Sequence, residues 1–346
     1  MSMGSAPAQA PNDDRLHVLV DCTGPIEDLL SALDAVTELS FERNALYILI
    51  GDEARLSEEL GKLAHDSEFL DIHDLGAERN ASDYSAQYLV RNPRSAYVSA
   101  APARVISDAL RAHQALLPHV QNPIQCAIVP VVKSTNEADR YAVLVDASEA
   151  RHDPPSTARE LIALADPVAR WFGAQHDHRI GVLASDTLHR VTCPDTLRLV
   201  DELQGLGRDV FSKGVVTPQD LMLGAVDIAL STGPTGPVFV RTLEATFVAA
   251  DALIRRETQG VRGRLGVRFF RDRLEKLRDY GNIESYGGSP MLGPVAPVVM
   301  LQAFASARAW YNAIRLTRKM HRSEYIEKAR VRLEEMHAAG PVSGGE

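Results

Sequence analysis

Short apolar runs and segments of helical spacing alternate along this chain from residue 16 to about residue 301, and few folds accommodate that order. Residues 16–21, 45–50, 94–99, 124–129, 141–146, 180–184 and 226–231 are rich in Val, Ile, Leu and Ala, and each run is bounded by Pro, Gly, Asp or Ser. Between them, 26–39, 53–65, 103–117, 156–173, 194–206 and 237–256 carry apolar residues at helical spacing. Near-continuous apolar runs belong to strands buried on both faces, which parallel sheets covered by helices provide. The pattern predicts an α/β protein, a three-layer α/β/α sandwich with a mostly parallel sheet. The end of the chain differs. Residues 241–278 read as helical and rich in Arg, and 279–297 as a loop with several glycines and prolines. A last strand over 298–301 then precedes one long helix over 303–337.

With 346 residues the chain can bury a full core without disulfide or metal staples. Aromatics are only 6 %, so that core rests on Leu, Val, Ile and Ala. A net charge of -9 argues against nucleic acid as a partner, because phosphate neutralisation needs clustered Lys and Arg. Cys22, Cys126 and Cys193 form no CxxC and fit reduced thiols in a cytoplasmic protein. No apolar run reaches the ~18 residues that a bilayer span needs. Residues 1–14 lack a basic start and an apolar stretch, and read as a disordered leader rather than a signal peptide. Residues 338–346 read as a flexible tail. One α/β domain over 15–337 is expected, with a passage between two halves of the sheet near 122–138 and a helical arm over about 241–279.

In open parallel sheets, ligands bind beyond the carboxyl ends of the strands. The residues there are Asp21-Cys22-Thr23-Gly24, Ala100-Ala101-Pro102-Ala103-Arg104, Asp146-Ala147-Ser148-Glu149, Ala184-Ser185-Asp186-Thr187-Leu188-His189 and Ser231-Thr232-Gly233-Pro234-Thr235-Gly236. They are expected to form one rim. Their hydroxyls, carboxylates, glycine turns and helix N-termini suit an anion or a thioester.

Read in order, these turns resemble those of the PlsX family, the phosphate acyltransferases of fatty acid and phospholipid synthesis. Val20-Asp21-Cys22-Thr23-Gly24 resembles that family's opening Val-Asp-Ala-Met-Gly, and Leu49-Ile50-Gly51-Asp52-Glu53 its second strand and turn. Gly224 to Ala229, then Thr232-Gly233-Pro234-Thr235-Gly236 and Arg241-Thr242-Leu243-Glu244, resemble the block that bears its Asp-Gly-Phe-Thr-Gly-Asn turn. Tyr286-Gly287-Gly288-Ser289-Pro290-Met291-Leu292-Gly293 is similar to its Tyr-Gly-Gly-x-x-Leu-Leu-Gly loop, and Ala313-Ile314-Arg315 to an Ala-Ile-Arg in its last helix. The likeness is collinear over roughly residues 16 to 325. It implies a fold like the isocitrate and isopropylmalate dehydrogenases, a homodimer, and transfer of an acyl group from a carrier-protein thioester to inorganic phosphate.

The departures from the family concentrate where phosphate would be held. The family's Ala-Gly-Asn-Thr-Gly turn is here Ala100-Ala101-Pro102-Ala103-Arg104, and its Asp-Val-Gly-Ala-Asn turn is Asp146-Ala147-Ser148-Glu149-Ala150. Residues 184–191 replace a turn that bears glycine and lysine, and have neither. Thr232 and Pro237 stand in place of an Asp and an Asn, and Met300-Leu301-Gln302-Ala303-Phe304 lacks the family's Lys, His and Gly. Glycines let backbone N–H groups approach an anion without an intervening Cβ. Their loss, with that of a cation, weakens a phosphate site in particular.

Asp21, Asp146 and Arg104 are the candidate catalytic residues. Each carboxylate serves either as a base or orienter, or as a turn or cap acceptor. Arg104, in place of a glycine, either anchors an anionic ligand or fills the old pocket with a salt bridge. Gly24, Glu149, Ser185, Asp186, Thr232, Gly233, Thr235, Gly236, Tyr286, Gly287 and Gly288 are the candidate substrate-binding residues. Pro234 and Pro237 remove two N–H donors from the turn around Thr235. Cys22 is either an acyl-carrying nucleophile or a small packed residue. Ser185, Asp186 and His189 have no triad spacing by themselves. His152, His176 and His178 fit a solvated polar loop better than a metal site. Residues 264–278 form a basic amphipathic pattern, either a core-facing helix with a solvated side or a contact for an acidic carrier protein or a membrane surface. The expected function is a divergent acyltransferase acting on acyl carrier protein or acyl-CoA, without cofactor or metal, with phosphate chemistry altered or lost. The alternative is a non-catalytic relative that binds the acyl carrier or a partner enzyme.

Overall fold

The computed structural model describes residues 15–76, 80–132, 140–147, 155–172, 178–186, 193–206, 210–258 and 287–338. In chain order the elements are β1 (Leu16–Asp21), α1 (Ile26–Ser40), β2 (Ala45–Gly51), α2 (Glu53–Leu60), β3 (Leu70–Asp74), α3 (Ala81–Arg91), β4 (Ser95–Ser99), α4 (Ala103–Ala112), β5 (Ile124–Val131), β6 (Arg140–Val145) and α5 (Ala158–Trp171). They continue with β7 (Arg179–Leu183), α6 (Pro194–Gly205), β8 (Phe211–Val216), α7 (Pro218–Met222), β9 (Ile228–Leu230), α8 (Thr235–Glu257), β10 (Ser289–Leu292), β11 (Val298–Met300), α9 (Ala307–Arg322) and α10 (Tyr325–Ala338). The alternation of strand and helix is that of a mostly parallel α/β fold. The chain divides into two compact units and changes unit several times, among them inside β5, between Cys126 and Ala127, and inside α5, between Val168 and Ala169.

In the first unit the strand order is β3-β2-β1-β4-β11-β10, followed by the start of β5. All pairs are parallel except those of β10, which is antiparallel to both β11 and β5. Every residue of β1, β2 and β4 is buried, as their near-continuous apolar runs imply, and His17, Asp21, Ser95 and Ser99 are buried with them. One core cluster joins Leu19, Ile48, Ile50, Tyr97 and Val298 of the strands to Tyr84, Tyr88 and Leu110 of α3 and α4. α1 packs on α9, whose Trp310 is fully buried. Arg318 of α9, itself buried, reaches Glu42 at 2.8 Å, so its charge is not left unpaired.

In the second unit the latter half of β5 begins the order β5-β6-β9-β7-β8. The pairs β6/β9, β9/β7 and β7/β8 are parallel. Gly181 lies so close to β8 that a Cβ would fall 2.6 Å from Val216 Cγ1. At the entrance of β7, Arg179 grips Asp227 with Nε to Oδ2 at 3.0 Å and Nη2 to Oδ1 at 2.8 Å. This bidentate pair ties the start of β7 to the start of β9. Beyond Gly236 and Pro237, α8 buries none of its residues, and Val238, Val248 and Leu253 are exposed.

Several elements depart from the expectations. β3, α3, β8, α7 and β10 are absent from the pattern. α3 buries Ser82, Ser85, Tyr84 and Tyr88 along with Ala81, Ala86 and a single large aliphatic residue, Leu89, so its apolar period is faint in the sequence. β8 is half-exposed and is interrupted by a register shift near Gly214, whose φ is +65°. β10 lies within the stretch expected to be a loop. The helix expected over 103–117 ends at Ala112, because Gln114 turns to φ +54° and the Ala115 N–H bonds Leu110 O at 2.8 Å. The single helix expected over 303–337 is two. Glu324 at φ +55° breaks it, and Tyr325, fully buried, restarts it with its hydroxyl 3.3 Å from Leu164 O. The leader at 1–14, most of the tail and the arm beyond Thr258 lie outside the described residues. Among the described residues no helix is long and apolar enough to cross a membrane.

Candidate functional site

In the first unit the rim is organised around Asp21 at the end of β1. Its Oδ1 accepts from Thr23 N–H at 3.0 Å and from the Thr23 hydroxyl at 2.6 Å. Its Oδ2 accepts from the Tyr97 hydroxyl at 3.0 Å and from Ser99 Oγ at 2.7 Å. Ser99 Oγ in turn accepts from Ala101 N–H at 2.9 Å, so the β4–α4 turn is fastened to the same carboxylate. Tyr97 is fully enclosed, and burial followed by the Asp21 charge pushes its phenol well above the ordinary range. Asp21 therefore spends four acceptor positions on its own unit.

Cys22 lies beside it, buried, with its thiol pushed up by burial and then by the Asp21 charge. A thiol held protonated is a packed residue and not a nucleophile. Gly24 stands in the exposed turn before α1, next to Asp28. Asp28 is buried, and its Oδ1 accepts from Ala305 N–H at 3.0 Å. Arg104 points into solvent with its side chain 87 % exposed, 3.7 Å from Asp108. Gly287 and Gly288 have φ of +87° and +82°. A Cβ would lie 2.7 Å from Asn312 O at the first and 2.5 Å from Met300 O at the second. Close packing on α9 and β11 is thus enough to demand glycine at both positions.

The second unit brings a different set together. Asp146 follows β6 with φ +66°, a left-handed conformation that Asp tolerates better than most residues. Ser231, fully buried beyond β9, gives its N–H to Val145 O at 3.0 Å. Its hydroxyl lies 2.9 Å from Val145 O and 2.8 Å from Asp146 O. Gly236, in the first turn of α8, has no room for a side chain, because a Cβ would strike Ser231 Oγ and come within 2.5 Å of Asp146 O.

Gly233 is different: its φ is +52° and nothing lies within 4 Å of where a Cβ would be. Thr235 spends its N–H on Thr232 O at 3.2 Å. Thr232 Oγ1 meets Thr196 Oγ1 at 3.2 Å, and both residues are buried. Thr196 also reaches Cys193, the N-cap residue of α6. Hydrogen bonds from its side chain and backbone hold that exposed thiol below the usual range. Beyond β7, Ser185 is exposed and Asp186 half-exposed.

The candidates thus divide: Asp21, Gly24, Arg104, Gly287 and Gly288 belong to the first unit, and Asp146, Ser185, Asp186, Thr232, Gly233, Thr235 and Gly236 to the second. Glu149, Tyr286, His152, His176, His189 and the basic stretch 264–278 lie outside the described residues. His178 is buried and not part of a solvated loop. Among the described residues no group of three His, Cys, Asp or Glu side chains is placed to hold a metal ion. Sequence reasoning missed Ser99 and Tyr97 as partners of Asp21, Ser231 as the partner of Asp146, and Cys193 as the exposed thiol. The last had a legible signal in Cys193-Pro194-Asp195, a helix start.

The model of the fatty acid synthesis protein family matches residues 191–328. A phosphate acyltransferase of Myxococcus xanthus is 27 % identical over 286 residues, 77 % of this chain and 79 % of that protein. One of Geobacillus thermodenitrificans is 23 % identical over 335 residues, 92 % of this chain and 99 % of the other. Among solved structures, a phosphotransacetylase from Streptococcus pyogenes covers 90 % of this chain and 94 % of its own, with a TM-score of 0.57 at 14 % identity, a likeness of fold alone.

Proposed function

On the premise that the chain is a PlsX-type family member, related to the phosphate acyltransferases, we propose that it is a divergent acyltransferase. It takes an acyl group from a thioester on acyl carrier protein or coenzyme A, in fatty acid-like or specialised-metabolite synthesis, and its phosphate chemistry is altered or lost. The protein acts in the cytoplasm as a homodimer. The observation that carries this reading is the turn that opens α8. It keeps both glycines of an anion-binding turn, yet Pro234 and Pro237 have no N–H and the Thr235 N–H is already given to Thr232 O. Such a turn offers fewer donors to a phosphate than a glycine-rich cradle does. Asp146 and the hydroxyls of Thr232 and Thr235 then serve the acceptor, with Asp146 as base or orienter.

A second reading is favoured by Asp21, whose carboxylate is occupied by four internal hydrogen bonds, and by Arg104, turned to solvent. On that reading the protein binds an acyl carrier or a partner enzyme without catalysis. Mass spectrometry of acyl carrier protein incubated with the purified protein separates the two. Acyl loss without phosphate supports the divergent acyltransferase. Loss only with phosphate, with acyl phosphate trapped by hydroxylamine, means the family reaction persists. An intact carrier that co-elutes with the protein supports the binding role and overturns the enzyme.

A further inference from the structure

Asp146 after β6, and Ser231 and Gly236 in the one passage from β9 into α8, meet at the Asp146 main chain. Asp146 is held at φ +66°. For a residue with a Cβ this conformation costs free energy that the surroundings must supply. The two peptide groups on either side of the Asp146 Cα present the carbonyls Val145 O and Asp146 O. The orientation of those two groups sets φ and ψ of Asp146. Ser231 Oγ lies 2.9 Å from the first and 2.8 Å from the second, and the Ser231 N–H also bonds the first at 3.0 Å. Ser231 is wholly buried, so no water competes for its hydroxyl. Gly236 closes the other side, where a Cβ would crowd both Ser231 Oγ and Asp146 O.

We propose that Ser231 is a positioning residue: by holding both carbonyls that flank the Asp146 Cα, it fixes the left-handed turn that carries the Asp146 carboxylate at the end of β6. The proposal rests on the reading above in which Asp146 serves the acyl acceptor. Its physical sense is preorganisation. A carboxylate on a fixed backbone meets its ligand in one orientation, whereas a relaxed turn would spread it over several. The hydroxyl has one proton for two acceptors, so it alternates between them or is shared, and either way restrains both peptide groups.

Two measurements test this. The first is a thermal double-mutant cycle with Ser231→Ala and Asp146→Gly. Glycine adopts positive φ without strain, so Asp146→Gly has a higher melting temperature than Asp146→Ala, which loses the same carboxylate but keeps a Cβ at φ +66°. Ser231→Ala lowers the melting temperature, and lowers it clearly more in the Asp146→Gly background, because only the native Asp146 turn regains free energy by relaxing once Ser231 lets go. Equal losses in both backgrounds overturn the proposal. If Ser231→Ala does not fold, the comparison of Asp146→Gly with Asp146→Ala still decides, since both lack the carboxylate, and a glycine variant no more stable than the alanine variant means there was no strained turn to hold.

The second measurement is turnover of acyl carrier protein by the full chain. Ser231→Ala lowers kcat by about tenfold or more with KM unchanged, and adds no further loss to Asp146→Asn. Independent, multiplicative losses overturn positioning. A native protein inert toward every acyl thioester overturns the acyltransferase reading instead, and leaves the thermal cycle to decide whether Ser231 holds Asp146.

Discussion

Ser99 Oγ lies 2.7 Å from Asp21 Oδ2, which joins the ends of β4 and β1 through one buried hydrogen bond. The Tyr97 hydroxyl shares the same oxygen. Asp21→Ala leaves both hydroxyls without this acceptor and is expected to cost about 3 kcal/mol, and Ser99→Ala about 1 kcal/mol, by urea denaturation. Asp21→Asn keeps the shape and part of the acceptor capacity. If that variant is nearly as stable as the native protein but loses acyl transfer, the carboxylate has a chemical role in addition to its structural one.

The glycines of the two retained motifs are expected to behave differently. Gly288→Ala combines φ +82° with a Cβ 2.5 Å from Met300 O, so it forces β10 and β11 apart at a cost of roughly 3 kcal/mol or more. Gly233→Ala meets open space at φ +52° and costs only about 1 kcal/mol of backbone strain. A folded Gly233→Ala protein whose acyl-carrier binding is weakened would place ligand at the turn before α8. Unaltered binding would make that turn structural.

Thiol reactivity is expected to follow environment, not position along the chain. Cys193 is exposed, and hydrogen bonds from Thr196 hold its thiol below the ordinary range. Cys22 and Cys126 are buried, with thiols pushed up by burial. Iodoacetamide near neutral pH should therefore alkylate Cys193 at least about tenfold faster than the other two. Its rate should reach half-maximum at a lower pH than for a free thiol, and Thr196→Val should shift that midpoint upward. Peptide mass spectrometry over a pH series checks both, and equal labelling of all three cysteines would refute the assignment.

His321 of α9 is expected to make stability fall as pH drops. Burial, with the Arg94 and Arg322 charges, lowers its pKa from 6.5 in the folded chain. The unfolded chain therefore binds more protons just below 6.5, and the slope of stability against pH is positive there. Above that window both states hold a neutral imidazole and the effect vanishes. Melting temperatures from pH 8 to pH 5 should show the native protein losing ground to His321→Gln as pH falls. Parallel curves would remove His321 from the account.

Much of the fold was legible because buried parallel strands write themselves as near-continuous apolar runs. β1, β2, β4 and β5 lie within a few residues of the expected bounds, and every residue of β1, β2 and β4 is buried. The elements that were missed bury little, bury polar atoms or, like β10 with its buried Met291 and Leu292, are too short to show a period. β3 is half-exposed, and α3 turns Ser82 and Ser85 inward beside its tyrosines. Their order comes from neighbours rather than from their own periodicity.

The sequence by itself determined the strand–helix order, the turns at the strand ends and the family likeness, because each of these is a local pattern. Only the tertiary structure decided what each turn residue does. Asp21 is tied to Tyr97 and Ser99, 76 and 78 positions away, and Asp146 to Ser231, 85 positions away. Gly236 is pressed against Asp146 O while Gly233 faces open space. Hydrogen-bond partners and steric room are properties of atoms brought together by folding, and no spacing along a single chain encodes which strand end will meet which.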